Sequence, residues 1–129
     1  MRCRFFRTRI YNETNIDPTF AAERQVECPF EGGDDNLSAF DSTTPFKLDN
    51  TFYQNLLQQK GLVHSDQQLF ANIDTDNRTK DQVISYSNNV DEFKKDFADA
   101  MVKMSIMTPL TDSDGQIREN CRLVNAPSI

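Results

Sequence analysis

The chain has 129 residues and a formal net charge of −6, with 37% hydrophobic and 26% charged residues. This length is enough for one domain with a modest core, and this balance is typical of a globular protein rather than a disordered one. The acidic charge argues against nucleic acid as a partner, because phosphate binding requires a basic surface, and no apolar run approaches the roughly 18 residues of a membrane span.

The first third of the sequence predicts two helices separated by a polar turn. Residues 1–11 carry phenylalanine and isoleucine at roughly helical spacing, with arginines between them. Asp17 followed by Pro18 is typical of a helix start, with a capping residue before a proline at the first helical position. This helix is expected to run to about Val26 and to be ended by Cys28-Pro29, and residues 31–38, which are rich in glycine and aspartate, predict a loop.

The middle of the chain predicts three further helices. Asp49 is expected to cap a helix over residues 52–60, and Gly61 is expected to terminate it. A short helix over 65–72 and another over 80–87 follow. Four residues of the 52–60 helix are expected to be buried: Phe52, Tyr53, Leu56 and Leu57.

The best-defined helix begins after Asn89, with Glu92 three residues later in a capping-box arrangement. The chain from Pro109 onward predicts a loop. We find no internal repeat and no linker, so the elements predict an all-α fold in one unit over residues 1–129. The apolar stripe of the last helix is Val90, Phe93, Phe97, Met101 and Met104.

Cysteines and glycosylation sequons favour the secretory route. The three cysteines, Cys3, Cys28 and Cys121, are an odd number, which predicts a free thiol or a missing partner. The first residues are cationic but lack the apolar core of a signal peptide, which predicts a chain cut from a longer precursor or an incomplete gene. Three Asn-x-Ser/Thr sequons begin at Asn12, Asn36 and Asn77.

Residues 41–50 crowd carboxylates and hydroxyl groups into one short loop. Calcium takes six to eight oxygen ligands of these types, so the loop is a candidate calcium site. The alternative interpretation is that Asp41 starts a turn and Asp49 caps the helix that follows. Further along, the residues alone predict that Ser65 caps a short helix and that Asp66 supports the helix dipole in its first turn.

Six sequence motifs follow one another along the chain. They are C-R-F-F-R-T-R-I-Y-N, D-P-T-F-A-A, F-D-x-x-T-P-x-x-x-D-N-x-F-Y, K-G-L-x-x-S-D-Q-x-L-F, F-x-x-D-F-A-x-A-M-V-K-M and I-R-x-N-C-R-x-V-N. In this order they resemble the C-terminal half of a plant secretory (class III) haem peroxidase, across essentially all 129 residues. The resemblance implies an all-α, haem-peroxidase-like fold that is partial, with only the proximal helical domain present and the N-terminal distal part missing.

The resemblance also implies an activity, cofactors and a location. Such an enzyme is an oxidoreductase that reduces H₂O₂ while oxidising phenolic donors by one-electron steps, with haem b and calcium as cofactors. It is secreted, to the cell wall or the vacuole, and glycosylated. Its partners would be H₂O₂, small phenols and the missing N-terminal half, with no nucleic acid and no membrane.

Several residues acquire roles from the resemblance alone. Cys3 would pair with Cys28, while the partner of Cys121 would lie in the N-terminal half, so that Cys121 is expected to be unpaired. The calcium ligands would be Asp41, Thr44, Asp49 and the backbone carbonyl of Lys47.

The resemblance implies that Asp66 accepts a hydrogen bond from the histidine that ligates haem iron. A carboxylate in that position makes the imidazole more basic and fixes its orientation. Phe40 would pack against that imidazole, or is an ordinary core residue. Arg4 and Phe5 would lie near the haem edge where phenols dock, or form an ordinary amphipathic helix end.

The proximal histidine and the distal histidine and arginine of the family would lie before Met1. His64, the sole histidine of the sequence, lies in a polar loop, where a histidine is usually solvated rather than a ligand. Two hypotheses therefore follow. The chain is the proximal domain of a peroxidase, or it is a catalytically dead remnant that is at most a calcium-binding or interaction module.

Overall fold

The computed structural model describes residues 1–71, 77–110 and 112–126. Within these ranges all regular elements are helices, joined by loops, and no strand is present. One isolated antiparallel bridge joins Arg2 and Leu37. The prediction of an all-α fold is confirmed for this part of the chain. The helices are a 3₁₀ helix at Cys3–Phe5, α1 Arg7–Asn12, α2 Pro18–Glu27, α3 Thr51–Leu57, α4 His64–Gln68, α5 Arg78–Asn88, α6 Val90–Ser105 and a 3₁₀ helix at Asp112–Asp114.

The chain divides into two compact units, Met1–Lys95 and Asp96–Ile129, while the prediction of one domain over 1–129 stays a prediction. In the first unit α1 packs on α2 and α3 packs on α5. A disulfide joins Cys3 to Cys28 inside the core. No helix among the described residues is long and apolar enough to cross a membrane. The core consists of Cys3, Phe6, Ile10, Ile16, Phe20, Ala21, Cys28 and Leu62.

The first predicted helix, over residues 1–11, is broken in the structure. Its first turn is a 3₁₀ helix, and α1 begins only at Arg7. The backbone N–H groups of Cys3 and Arg4 donate to the carbonyls of Asn36 and Asp34, at 2.8 and 3.2 Å. The start of the chain is therefore held against the following loop, which interrupts the helical pattern.

The start of α2 is as predicted. Asp17 is the N-cap, and its Oδ1 accepts from the backbone N–H of Phe20 at 2.8 Å, with Pro18 at the first helical position. The helix ends at Glu27, within one residue of the prediction. The local sequence was sufficient to predict this helix start, because the described contacts show no other partner that draws the Asp17 side chain away from the cap.

The helix α3 corrects the prediction at both ends. It spans Thr51–Leu57, and Asn50 rather than Asp49 is the N-cap residue. It ends in a Schellman motif, in which the Lys60 N–H donates to Asn55 O at 2.8 Å. The residue with positive φ in this motif is Gln59, and not Gly61 as predicted. Leu56 is fully buried as predicted, whereas Leu57 is 38% exposed.

The helix α4 spans His64–Gln68, which is shorter than the predicted helix over 65–72, and residue 72 lies outside the described residues. Val63, not Ser65, is its N-cap residue. The predicted helix over 80–87 is α5, extended to Arg78–Asn88. Gln67 is the buried residue of α4, whereas Leu69, directly after the helix, is 38% exposed.

The capping box at the start of α6 forms only in part. Asn89 Oδ1 accepts from the Glu92 N–H at 3.1 Å, but the Glu92 carboxylate accepts from Ser85 Oγ at 2.7 Å instead of turning back. In the predicted apolar stripe Phe93 is buried in contact with Tyr53 and Tyr86, with ring centroids 5.1 and 5.6 Å away. Phe97, Met101 and Met104 are 41–57% exposed.

The second unit contains the rest of α6 and the segment that the sequence predicts as a loop. Beyond the 3₁₀ helix, Asn125 organises the segment. Its side chain accepts from the Glu119 N–H at 3.0 Å and donates to Ile117 O at 2.9 Å. Cys121 is exposed and has a free thiol.

Candidate functional site

The loop before α3 brings two carboxylates and a hydroxyl together. Thr44 Oγ1 lies 2.9 Å from Asp41 Oδ2 and 3.0 Å from Asp49 Oδ1. A hydroxyl carries one proton and can donate to only one carboxylate at a time. One proton thus serves two carboxylates, and a cation among these three oxygens would be stabilised by both negative charges.

Backbone and side-chain donors fix the shape of this loop. Asp41 Oδ1 accepts from the N–H groups of Thr43 and Thr44 at 2.8 and 3.1 Å, and from Asn55 Nδ2 at 3.0 Å. Asp49 Oδ1 accepts from the Thr51 N–H at 3.0 Å. Asp41 thus starts a turn and Asp49 supports the first turn of α3, as the alternative interpretation expects. Both carboxylates also lie next to Thr44, as a calcium site would require, and calcium binding stays a prediction.

The charge of Asp49 is stabilised by these contacts. The hydrogen bond from the Thr51 N–H is the main reason why the pKa of Asp49 lies below its ordinary value of 3.8, with Thr44 and the positive charge of Lys47 acting in the same direction. Desolvation opposes this lowering. A low pKa favours the anionic form of Asp49, which is the form of a carboxylate that binds calcium.

The same loop lines a groove of about 470 Å³ in the first unit. Phe46, at its edge, is 99% exposed, and Phe40 is 46% exposed, so Phe40 is not a core residue. The groove brings together Phe40 and all four predicted calcium ligands, including Lys47. The other lining residues are Met1, Ala39, Pro45, Phe46, Leu48, Phe52, Tyr53 and Phe93.

Asp66 lies on α4 and does not line this groove. Its Oδ2 is buried and has no hydrogen-bond partner among the residues that the structure describes. Burial raises the pKa of Asp66 above its ordinary value of 3.8, and the charge of Arg9 partly offsets that rise. A buried acceptor without a donor is costly, so this oxygen fits a donor supplied by another group.

Arg4 and Phe5 lie apart from the groove. Phe5 is 63% exposed, and the Arg4 guanidinium lies 5.1 Å from the centroid of its ring. Arg4 also lies 3.7 Å from Asp35, in a cluster of surface ion pairs that includes Arg2 and Asp35 at 2.5 Å. The structure thus shows Arg4 and Phe5 as neighbours on the surface, and their haem-edge role stays a prediction.

His64 is exposed at the start of α4, where its Nδ1 lies 2.9 Å from Glu13 Oε1. Within residues 1–71, 77–110 and 112–126, no three His, Cys, Asp or Glu side chains gather into a metal-binding group. The cluster around Thr44 contains only two carboxylates. Calcium nevertheless accepts hydroxyl and carbonyl oxygens in addition to carboxylates, so the donor set of the loop fits this ion.

The three sequon asparagines are exposed, but their side chains differ in environment. Asn36 Nδ2 donates to Glu27 O at 2.7 Å, and Ser38 of the same sequon is buried. Asn12 is the last residue of α1, and Asn77 has a left-handed backbone before α5. The Asn36 nitrogen is thus already engaged, and glycosylation at all three sites stays a prediction.

Two residues of the site region were missed by the sequence reasoning. Arg9 is 2% exposed and Gln67 is 3% exposed, and each forms several buried hydrogen bonds. Arg9 looked like one of the surface arginines of an amphipathic helix. The signal available was its spacing three residues after Phe6, which places Arg9 on the apolar face of the predicted helix, where an arginine must be paired to be buried.

Comparisons with known proteins agree on one family. A profile of the family described as Peroxidase matches residues 1–89. A peroxidase from Lupinus polyphyllus is 50% identical over 124 residues, which cover 95% of this chain and 76% of that protein. Peroxidase 4 from Vitis vinifera is 50% identical over 126 residues, which cover 96% of this chain and 38% of that protein.

A third relative, Peroxidase 22.3 from Oryza sativa subsp. japonica, is 48% identical over 127 residues, which cover 97% of this chain and 39% of that protein. The chain thus spans about two fifths of the length of the grape and rice relatives and about three quarters of the lupin one. The similarity extends through both compact units.

Proposed function

The chain belongs to the peroxidase family, with plant class III peroxidases as its relatives, and on this premise we propose that the protein that carries it is a haem peroxidase. It reduces H₂O₂ and oxidises phenolic donors by one-electron steps. Bound haem would supply the redox-active iron for both half-reactions. The residues described here would act on the proximal side of that site, as the resemblance implies.

The buried Asp66 Oδ2 without a partner is the observation that carries this proposal. It accepts the ring N–H of the imidazole that ligates the iron, in the role that the resemblance gives to this aspartate. A charged acceptor in a buried position forms a stronger hydrogen bond than one in water. The bond orients the imidazole and increases its basicity, which is how such an aspartate favours peroxidase chemistry.

Calcium binding is the second part of the proposal. The carboxylates of Asp41 and Asp49, the Thr44 hydroxyl and the Lys47 carbonyl hold the ion next to the groove. The position of Thr44 Oγ1 between the two carboxylates supports this assignment, because a divalent cation among these oxygens would offset both negative charges. The protein is secreted, in keeping with its Cys3–Cys28 disulfide, which persists only in an oxidising compartment.

Peroxide-dependent oxidation of a simple phenol tests the enzymatic proposal. The whole protein that carries this sequence is loaded with haem and assayed with H₂O₂ and with the phenol, each omitted in turn. Turnover that requires all three components, together with a Soret band that follows haem stoichiometrically, is the expected result. Haem uptake without turnover would contradict it.

A calcium-binding module without catalysis is the second candidate, favoured by the cluster around Thr44, which needs no residue of α4. The two candidates differ in one outcome. Calcium titration of a protein that shows no turnover under any condition would support the module. Turnover that falls when calcium is removed by a chelator and returns when it is restored would support the peroxidase.

A further inference from the structure

We propose that Arg9 is a positioning residue for Asp66, acting through a buried polar connection from α1 to α4. The connection runs from the Arg9 guanidinium to Gly61 and Gln67, and Gln67 is the immediate neighbour of Asp66. The inference rests on the proposed function only in that Asp66 is taken as the acceptor for the haem-ligating imidazole.

The guanidinium of Arg9 is enclosed and uses all of its nitrogens. Nε donates to Gly61 O at 2.7 Å, and Nη1 donates to Glu13 Oε2 at 2.5 Å and to Asn15 Oδ1 at 2.9 Å. Nη2 donates to Asn15 O at 3.1 Å and lies 3.5 Å from Gln67 Oε1. The planar fork of an arginine fixes five donors in one arrangement, whereas a lysine has three rotatable donors at a single point.

Gln67 carries the connection into α4. Its Oε1 accepts from the Gly61 N–H at 3.1 Å, and its Nε2 donates to Leu56 O at 2.9 Å. The side chain thus bonds the end of α3 and the turn before α4 while it faces Arg9. Because α4 has only five residues, it gains little stability from its own hydrogen bonds, and its placement depends on such contacts.

Gly61 leaves the space that this connection needs. A Cβ at position 61 would lie 2.9 Å from Leu56 Cδ2, 3.0 Å from Gln67 Oε1 and 3.2 Å from Gln67 N. Any larger residue would therefore displace Gln67 or Leu56. The glycine thus permits the close approach of this turn to α4 and to the Gln67 side chain that faces Arg9.

The charge of Arg9 gives the connection an electrostatic consequence. Burial raises the pKa of Asp66, and Arg9 lowers it. Other titratable groups in this region are Glu13, directly after α1, which bonds Arg9, and His64 on α4, which lies 2.9 Å from Glu13. Arg9 is the cation that opposes the burial of the Asp66 charge, and it therefore favours the ionised acceptor.

The competing explanation is that Arg9 only stabilises the fold. The two explanations differ in what happens to Asp66 when the protein remains folded. A positioning residue changes the titration of Asp66 and the environment of α4 in particular, whereas a general structural residue changes the free energy of unfolding without a selective effect on α4.

The test follows the Asp66 side-chain carboxyl carbon by NMR in the 129-residue chain as a function of pH, with Asp66→Asn used to assign the signal. Arg9→Met is expected to move the Asp66 titration to higher pH and to shift the backbone amide signals of residues 64–68. Arg24→Met is the matched control. Arg24 is a partly buried arginine that is ion-paired with Glu27 and lies over the ring of Phe20.

Arg9→Lys separates charge from geometry. It keeps the cation, so that the Asp66 titration is expected to stay closer to wild type than in Arg9→Met. It loses the fork, so that the amide signals of α4 are expected to move. If Arg9→Met does not fold, Arg9→Lys decides the question by the α4 signals alone.

Three results would overturn the inference. They are an Asp66 titration and α4 signals unchanged in Arg9→Met, equal changes in Arg24→Met, and a loss of folding in both Arg9 variants. None of these readouts requires haem or turnover. A protein in which Arg9 controls Asp66 but which does not oxidise phenols would therefore contradict the proposed function and leave the inference standing.

Discussion

Two aspartates of the first unit have pKa values displaced in opposite directions. Burial raises the pKa of Asp66, with Arg9 as a partial compensation, whereas the Thr51 N–H holds the pKa of Asp49 low. The folded protein therefore binds the Asp66 proton more tightly than the unfolded chain does, and the Asp49 proton less tightly. These two residues should give opposite contributions to the pH dependence of stability.

Asp66→Asn is expected to gain stability relative to wild type as the pH rises. The wild-type protein loses stability between the ordinary pKa of 3.8 and the raised pKa of folded Asp66, because a buried carboxyl must ionise. The amide of the variant does not ionise and avoids this loss. Urea unfolding at several pH values between about 3 and 7 measures the difference.

Asp49→Asn serves as the comparison, because the sign is reversed. The stability that ionised Asp49 contributes is present above 3.8 and is lost as the pH falls through its lowered pKa. This variant should therefore be destabilised relative to wild type above 3.8 and approach it in acid. Parallel pH profiles for the two variants would contradict at least one of the two assignments.

Thr44→Val is expected to weaken calcium binding by about tenfold or more, because it removes the oxygen shared by Asp41 and Asp49. The two side chains have nearly the same shape, so the loss would report the hydroxyl. Calorimetric titration of the 129-residue chain with Ca²⁺ measures the affinity. Thr44→Ser keeps the hydroxyl and should retain most of it, and equal affinities in all three proteins would exclude Thr44 as a ligand.

At the scale of elements, helix starts were predictable where the capping residue has only local partners. Asp17 bonds the Phe20 N–H three residues later, and its helix starts as expected. Asn50 and Glu92 are instead taken by distant partners. Asn50 Nδ2 donates to Tyr86 O and Ser87 O, and Glu92 accepts from Ser85. A sequence pattern over a few residues cannot predict these bonds, because the partner groups lie on α5 and meet Asn50 and Glu92 only when the helices pack.

In the candidate site, too, contacts within one short segment were predictable and contacts between distant segments were not. The role of Asp66 was predictable from a motif. Its unpartnered oxygen and its proposed dependence on Arg9 were not, because they arise where α1 approaches α4 in space. Arg9 and Gln67, which meet there, are 58 residues apart in sequence. The clustering of Asp41, Thr44 and Asp49 was predictable because all three lie in one short loop.

Asp17→Ala is expected to destabilise the first unit by about 1 kcal/mol, the usual cost of removing an N-cap side chain. The loss arises because the Phe20 N–H would no longer have its side-chain acceptor. Urea unfolding at neutral pH measures it. Asp17→Asn retains a capping oxygen and should lie close to wild type, so an equal loss in both variants would assign the effect to charge instead of capping.

At the scale of the whole molecule, the Cys3–Cys28 disulfide closes a loop that contains α1 and α2, with a sequence separation of 25. Replacing both cysteines with alanine is expected to cost about 3.5 kcal/mol, from the entropy that the crosslink removes from the unfolded chain. Denaturant unfolding of the double variant against wild type gives the value. Cys121→Ala, at the exposed free thiol, should leave the stability unchanged.

The measurement that tests the account most directly is the rate at which the haem-loaded whole protein reacts with H₂O₂, compared between wild type and Asp66→Asn. The asparagine has nearly the same size but no charge, and we expect the rate to fall by about 10–100-fold, as is usual when a partner of a metal ligand is removed. Asp91→Asn, at the exposed start of α6, is the control and should react as fast as wild type. An Asp66→Asn protein that binds haem and reacts with peroxide at the wild-type rate would contradict the role of Asp66.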